Sequence, residues 1–204
     1  MNSMNSSRIF KRLPDLRITG GLLKGRRIEV PPGLIRPSMD RMRESVFAAL
    51  GDLGGCSFLD IFSGTGIIAL EAASRGAGYI EAVEMDSLKR KALINNVSIS
   101  PVRIRCRFMA AELYVERAKR SFDYIFLDPP FPYRFKWELV RNIASSPLAA
   151  DGARILLHRP REDFFEEEIP FIQKDAPRIY GRSVVEFLLV RKAAQENLGE
   201  NTAT

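Results

Sequence analysis

This sequence has no long apolar run and contains little cysteine and histidine. No stretch approaches the roughly 20 apolar residues that a membrane-spanning helix needs, and residues 1–7 lack the apolar core of a secretory signal, so we expect a cytoplasmic protein without a membrane segment. The chain has two cysteines and one histidine. Cys56 and Cys106 lie in or beside strand-like segments, where two buried thiols are expected rather than a disulfide. With the single His158 they do not suffice for a structural zinc site, and we expect no metal.

Positive charge is concentrated at the N-terminal end of the chain. The formal net charge is +6, and residues 1–43 hold ten basic and three acidic side chains, which leaves 21 basic and 22 acidic side chains in the remainder. A basic segment on a nearly neutral body favours contact with a phosphate backbone. For residues 8–12, a solvated tail is an equally good interpretation.

Strand-like segments rich in β-branched and aromatic residues alternate with helix-like segments. The predicted strands are 57–62, 79–85, 103–109, 122–128, 153–159 and 183–191. The predicted helices are 40–50, 66–75, 87–97, 111–120 and 135–145. Such alternation predicts right-handed crossovers and an α/β fold, with a mainly parallel sheet covered by helices on both faces.

The segment before this pattern predicts a β-hairpin. Residues 16–30 contain Gly20, Gly21 and Gly25 between short apolar stretches, which is typical of two strands and a turn. We divide the chain into a flexible basic segment at 1–15, the hairpin at 16–35, one globular domain at 36–194 and a frayed C-terminus at 195–204.

A glycine-rich turn ends the first strand of the predicted sheet. Residues 60–66 read Asp-Ile-Phe-Ser-Gly-Thr-Gly, and the two glycines allow a tight turn and a close approach of the backbone to a ligand. The third glycine of a dinucleotide-binding motif is replaced by Ala69. The pattern resembles the first motif of Rossmann-like methyltransferases, which implies that this turn holds S-adenosylmethionine; a turn without a ligand is the alternative. The cofactor residues implied here are Asp60, Phe62, Ser63, Gly64, Thr65 and Gly66.

The second predicted strand ends in two acidic residues that flank a methionine. Glu84 lies where a nucleotide-binding α/β fold places the acceptor of the ribose hydroxyls, and Met85 would then contact the adenine face. An acidic residue at a strand end is also a common helix cap, and Asp86 is a candidate for that role.

The most informative stretch follows the predicted strand 122–128. Asp128, Pro129, Pro130 and Phe131 come directly after an apolar run, where open α/β sheets bind their ligands. The amino group of a nucleic-acid base is a poor nucleophile because its lone pair is delocalised. Hydrogen bonds to the Asp128 carboxylate and the Pro129 carbonyl would free that lone pair, the prolines would hold the acceptors in place, and Phe131 would stack on the base.

Together these motifs resemble the bacterial 16S rRNA (guanine-N2) methyltransferases that modify guanine 966 of the small-subunit RNA. The likeness runs from about residue 17 to residue 191 and rests on the segments 17–21, 24–26, 36–38, 40–44, 60–66, 71–77, 84–86 and 128–131. It implies a Rossmann-like class I methyltransferase with a seven-stranded, mainly parallel sheet whose last strand is antiparallel, and a hairpin that helps to bind RNA. It also implies a monomer that acts on 16S ribosomal RNA or the assembling small subunit.

The RNA-contacting residues that this resemblance and the charge pattern imply are Arg17, Lys24, Arg26, Arg27, Arg36 and Arg43. Arg36 and Arg43 lie nearer the predicted helix 40–50, and for them contact with the cofactor carboxylate or with the flipped guanine is the alternative. One position departs from the family pattern: Ala110 stands where an Asp or Asn usually binds the adenine amine. Recognition of adenine would then rest on the backbone of Ala111.

Three other functions remain open from the residues alone. An adenine-N6 methyltransferase of DNA or RNA would use the same Asp-Pro-Pro-Phe turn, and a catalytically silent RNA-binding assembly factor could retain the same scaffold. A nicotinamide-dependent oxidoreductase would bind NAD instead of S-adenosylmethionine. A carbon-5 pyrimidine methyltransferase would need a nucleophilic cysteine, and neither Cys56 nor Cys106 lies in such a motif.

Overall fold

The structure, a computed structural model, describes residues 16–30, 39–164 and 168–192. The predicted segments 1–15 and 195–204, the end of the predicted hairpin at 31–35 and Arg36 lie outside these ranges. Within them, no helix combines the length and the apolar character needed to cross a membrane.

A two-stranded antiparallel hairpin precedes a larger α/β sheet. The hairpin pairs β1, Leu16–Arg17, with β2, Arg27–Ile28. The helices are α1 (Met39–Leu50), α2 (Ile67–Ser74), α3 (Arg90–Val97), α4 (Ala111–Arg117) and α5 (Lys136–Ser145). The further strands are β3 (Ser57–Ile61), β4 (Tyr79–Val83), β5 (Ile104–Arg107), β6 (Phe122–Leu127), β7 (Ala149–Pro160), β8 (Ile172–Lys174), β9 (Arg178–Tyr180) and β10 (Ser183–Val190).

The sheet follows the order β5-β4-β3-β6-β7-β10-β8, and β9 pairs with another part of β10. The first five strands in this order, β5, β4, β3, β6 and β7, are parallel, whereas β10 runs antiparallel to β7, β8 and β9. This confirms the mainly parallel sheet with an antiparallel last strand and the N-terminal hairpin. Since β8 and β9 share one edge of β10, the sheet has seven strand positions.

The apolar runs of the central strands are buried on both faces. On one face, Phe58, Phe126 and Leu156 pack with α1 and α2, and on the other, Leu59, Ile125 and Ile155 pack with α4 and α5. All eight residues of α2 are buried, because α1 and the hairpin cover the side that faces away from the sheet. The continuous apolar pattern of strands and helix is therefore what two covered faces require.

The register of the parallel strands aligns four positions near the carboxyl edge of the sheet. Ile61 pairs with Val83 on one side and with Leu127 on the other, and Leu127 pairs with Leu157. The residues that follow are therefore presented side by side at the carboxyl edge of the sheet, where doubly wound folds bind ligands. They are Phe62, Glu84, Asp128 and His158.

The structure corrects several predicted bounds. The helix predicted at 87–97 begins with a 3-10 turn, Ser87–Lys89, because Asp86 caps it by accepting from the amide of Leu88. The helix predicted at 111–120 ends at Arg117, since Ala118 is extended. Cys56 and Cys106 are free, as expected, but they are only partly buried.

Candidate active site

One cavity opens at the carboxyl edge of the sheet and collects most of the predicted site residues. Its volume is about 880 Å³, within the roughly 300–1,000 Å³ of ligand pockets. The predicted site residues that line it are Phe62, Ser63, Gly64, Thr65, Glu84, Met85, Ala111, Asp128, Pro129, Pro130, Phe131 and Arg43. The structure thus brings the glycine-rich turn and the Asp-Pro-Pro-Phe turn to one cavity.

The glycine-rich turn is held from beneath by the carboxylate of Glu84. Its Oε2 accepts from the amide of Gly64 at 2.7 Å, and its Oε1 accepts from the amide of Asp86 at 2.8 Å. Each carboxylate oxygen has a second lone pair, so Glu84 can still accept hydrogen bonds from a ligand in the cavity. Phe62 adopts φ 65°, an uncommon backbone conformation for a bulky residue that is retained mostly at functional sites.

The two glycines of the turn have different reasons to be glycine. Gly64 lines the cavity with φ +56°, and a Cβ atom there would meet only the Phe62 carbonyl oxygen, at 4.0 Å. Gly66 has φ +82°, and a Cβ atom there would lie 2.7 Å from Leu93 of α3. Gly66 therefore allows the start of α2 to pack closely on α3, and Gly64 is the glycine that leaves room for a ligand.

Asp60 lies under the turn and not on the cavity wall. It is fully buried, and its Oδ2 accepts from the Ser63 hydroxyl at 2.6 Å and from the Ala69 amide at 3.1 Å. Burial is the main reason why the pKa of this carboxyl group is raised to about 7; the hydrogen bonds from Ser63 and Ala69 oppose this rise, and the nearby Asp128 and Glu84 carboxylates add to it. Asp60 organises the turn, which differs from the direct cofactor contact that the motif suggested.

Arg43 is completely buried, which contradicts a role as a surface contact for RNA. Its Nη2 donates to the Arg17 carbonyl at 2.9 Å and to Asp40 at 2.6 Å, and its Nε donates to Glu71 at 3.3 Å. Its Nη1 has no hydrogen-bond partner among the described residues, although Arg43 forms part of the cavity wall. A buried guanidinium nitrogen in this state suits an anionic ligand group, since leaving it unpaired is costly.

The part of the cavity wall beside α4 includes residues that the motifs did not reveal. Ala110 precedes α4 without any side-chain cap, and Ala111 is buried against the cavity. The next residue, Glu112, also lines the cavity and accepts a hydrogen bond from the hydroxyl of Tyr133. The Tyr133 ring meets Phe62 edge-on, with ring centroids 5.2 Å apart.

Asp128 is held by its backbone and by a histidine from the next strand. Its amide donates to the Ile61 carbonyl at 3.2 Å, and its Oδ1 lies 2.7 Å from Nδ1 of His158. His158 is 3% exposed and also lines the cavity. The sequence analysis considered this residue only as a metal ligand and did not predict its place beside Asp128.

A buried lysine fixes the turn that follows Asp128. Lys136 donates through Nζ to the Phe131 carbonyl at 3.1 Å and to the Tyr133 carbonyl, and it pairs with Asp163 at 2.7 Å. The Tyr133 amide donates to the Pro130 carbonyl at 2.8 Å. These bonds hold the turn without using the Asp128 side chain. No sequence motif points to Lys136: two of its partners are close in the chain, but Asp163 is 27 residues away and becomes a neighbour only in the fold.

The hairpin forms part of the cavity and is bonded to the domain. Leu16 and Val30 line the cavity, while Asn96 of α3 bonds both the backbone of Glu29 and the Thr65 carbonyl, the latter at 2.9 Å. The cationic side chains of the hairpin are exposed; they are Arg17, Lys24, Arg26 and Arg27. The hairpin turn is bonded to the C-terminal end of α2, where the Leu22 amide donates to the Ser74 carbonyl at 2.7 Å.

Comparison with known proteins agrees with this architecture. The model of the family described as conserved hypothetical protein 95 matches residues 16–189. The ribosomal RNA small subunit methyltransferase D of Escherichia coli K12 is 32% identical over 152 residues, which are 72% of this chain and 76% of that protein. The Haemophilus influenzae protein of the same name is 31% identical, over 72% of this chain and 80% of its own length.

A solved structure, yhhF of Escherichia coli, superimposes with a TM-score of 0.79 and 27% identity, over 87% of this chain and 99% of its own. The family model covers the hairpin as well as the sheet, so the similarity includes the segments that line the cavity. This chain belongs to the ribosomal RNA small subunit methyltransferase D family.

Proposed function

We propose that the protein transfers a methyl group from S-adenosylmethionine to the N2 amino group of a guanine in 16S ribosomal RNA. The observation that carries this proposal is the placement of Asp128, Pro129, Pro130 and Phe131 in the same cavity as Glu84 and the glycine-rich turn, in a chain of this family. A ligand held by Glu84 and a base held by Asp128 would then lie side by side.

The cavity wall offers the donors and acceptors that S-adenosylmethionine requires. Glu84 would accept from the ribose hydroxyls, the exposed Met85 would contact the adenine face, and Nη1 of Arg43 would donate to the carboxylate of the methionine part. When bound, the cofactor supplies a methyl group on a positively charged sulfur. The open space beside Gly64 leaves room for it.

The chemical step is promoted by acceptors for the amine. The Asp128 carboxylate and the Pro129 carbonyl would accept the two amine hydrogens, which draws the nitrogen towards tetrahedral geometry and makes its lone pair available. A nitrogen–carbon bond then forms while the sulfur–carbon bond breaks. The amine would lose one proton, which the Asp128 carboxylate would accept.

Phe131 would stack on the flipped guanine, a contact worth about 1–3 kcal/mol in single-stranded nucleic-acid sites. The same turn would serve the N6 amine of adenine, so guanine rests on family membership and not on the turn itself. The exposed hairpin cations would contact phosphates of the RNA or of the assembling small subunit.

The proposal is tested by the identity of the methylated base. Incubation of the protein with labelled S-adenosylmethionine and unmodified 16S RNA, either free or in small subunits, should place the label on the N2 atom of a guanine. Mapping by nuclease digestion and mass spectrometry distinguishes that product from N6-methyladenine. Label on adenine would support the alternative base, and absence of label from both substrates would contradict methyl transfer to ribosomal RNA.

A further inference from the structure

We propose that His158 is a positioning residue for Asp128, which it orients by a hydrogen bond from Nδ1. The inference rests on the proposed methyl transfer and adds a residue to it. The two side chains are 2.7 Å apart, His158 is 3% exposed and Asp128 has 22% of its side chain exposed to the cavity. The carboxylate is therefore anchored on its buried side and accessible on the other.

The pairing follows from the strand register. Leu127 of β6 and Leu157 of β7 are neighbours in a parallel pair, so the next residue on each strand emerges at the same height. Asp128 and His158 are 30 residues apart in the chain, yet the sheet holds both backbones rigidly. His158 lies within β7, paired with Val185 of β10, and Asp128 directly follows β6. A side chain on a strand is better fixed than one on a loop, so the imidazole can hold the carboxylate in place.

The proposed role of His158 requires that Nδ1 carries the ring proton. An ionised carboxylate only accepts hydrogen bonds, so a contact at 2.7 Å requires a proton on Nδ1 of the histidine. Oδ1 of Asp128 is then engaged by the histidine, which leaves Oδ2 to accept from the amine. The ring of Phe131 meets the imidazole edge-on at 5.8 Å, so the stacking surface and the acceptor share one support.

Steady-state kinetics separate positioning from general stability. The variant His158→Leu fills the space but cannot donate, and we expect its kcat to fall about 100-fold, as when a reacting group is misplaced by an ångström. KM for RNA and affinity for S-adenosylmethionine should stay near wild type. The variant His158→Asn should recover most of the loss, because Nδ2 of asparagine occupies nearly the same place as Nδ1.

The matched control is Val185→Ala, since Val185 is the cross-strand neighbour of His158 on β10 and lies in the core. It loses packing at the same place but leaves the hydrogen bond intact, so its kcat should stay near wild type. A wild-type kcat in His158→Leu, or an equal loss in His158→Asn and His158→Leu, would overturn the positioning role.

A spectroscopic readout is independent of the methylated base. His158 is the single histidine of the chain, so nitrogen-15 NMR of the untagged protein gives one imidazole to assign. We expect a proton on Nδ1 in the wild type and a shift towards the Nε2-protonated form in Asp128→Ala. An Nδ1 without a proton in the wild type would overturn the proposal. If the NMR result holds while guanine is not methylated, the proposed function fails and the pairing stands.

Discussion

The two sides of the cavity are built in different ways. On the cofactor side, formed by the turn at 60–66 and by Glu84, most supporting bonds join residues of the motifs themselves: Asp60 accepts from Ser63, and Glu84 accepts from Gly64 and Asp86. The side that would hold the base depends on partners from distant segments, since Asp128 contacts His158 and Lys136 contacts Asp163. The supports of the first side are therefore visible in the sequence as motifs. On the second side only the turn at 128–131 is visible as a motif, and the fold brings its distant supports to it.

The largest effect is expected on the base side, from Asp128→Ala. Loss of the acceptor for the amine should lower methyl transfer about 10²–10³-fold, as when one preorganised group of a transition-state site is removed. Affinity for S-adenosylmethionine should remain nearly unchanged, because the carboxylate acts on the amine. Transfer of label to RNA and calorimetry with the cofactor measure the two properties, and a variant with wild-type turnover would remove Asp128 from the chemistry.

The next effect concerns stability on the cofactor side. Because the pKa of Asp60 is about 7 in the folded protein, the carboxyl group keeps its proton up to about that pH. In the unfolded chain it releases the proton near its ordinary pKa of 3.8. The folded state thus binds more protons between these values, and its stability falls as the pH rises through this window. Relative to Asp60→Asn, the wild type should lose about 3 kcal/mol of unfolding free energy between pH 4.5 and pH 7.5.

Urea denaturation of both proteins at the two pH values measures this difference, and the contributions of all other groups cancel in the comparison. An equal pH dependence in wild type and Asp60→Asn would mean that Asp60 is ionised throughout. The cofactor side would then contain one more buried charge than we infer.

A smaller effect is expected from Glu84→Ala, which removes the carboxylate that supports the cofactor side. The variant leaves the Gly64 and Asp86 amides and the ribose hydroxyls without their acceptor, which should weaken binding of S-adenosylmethionine by about 1–3 kcal/mol. The control Glu84→Gln keeps one acceptor and should lose less. Unchanged affinity by calorimetry in both variants would indicate a different ligand.

Much of the fold was predictable because its signals are local. The strands β3, β4, β6 and β10 and the turn at 60–66 follow from apolar runs and glycine spacing. The strands β8 and β9 were not predicted, since each has three residues, mostly exposed, and forms only by pairing with β10. Their pattern carries too little apolar periodicity to indicate a strand.

The site was predictable to a similar extent. Asp128, Glu84 and Gly64 reach the cavity as their motifs indicated, whereas the burial of Arg43 depends on Glu71, a partner 28 residues away. The charge pattern and the resemblance made Arg43 look like an RNA contact, with the cofactor carboxylate or the flipped guanine as the alternative partner. The role of His158 depends on the β6–β7 register, which no local pattern specifies.

The smallest effect is expected from the hairpin cations, which belong to neither side of the cavity. Lys24, Arg26 and Arg27 are exposed, and their joint replacement by alanine should weaken RNA binding. If each contacts one phosphate, the slope of log affinity against log salt concentration should become shallower by about 2 to 3. Affinity for S-adenosylmethionine should not change, because none of the three lines the cavity.

The matched control is the triple replacement of Arg117, Lys119 and Arg120, which removes the same charge at the end of α4 and just before β6. Those residues lie towards the amino edge of the parallel strands, away from the cavity, so a general loss of positive charge would act equally in both variants. A salt slope that changes only in the hairpin variant would assign the phosphate contacts to the hairpin. If the hairpin variant keeps both the RNA affinity and the salt slope of the wild type, the RNA surface lies elsewhere. The hairpin then serves only as a wall of the cavity, through Leu16 and Val30.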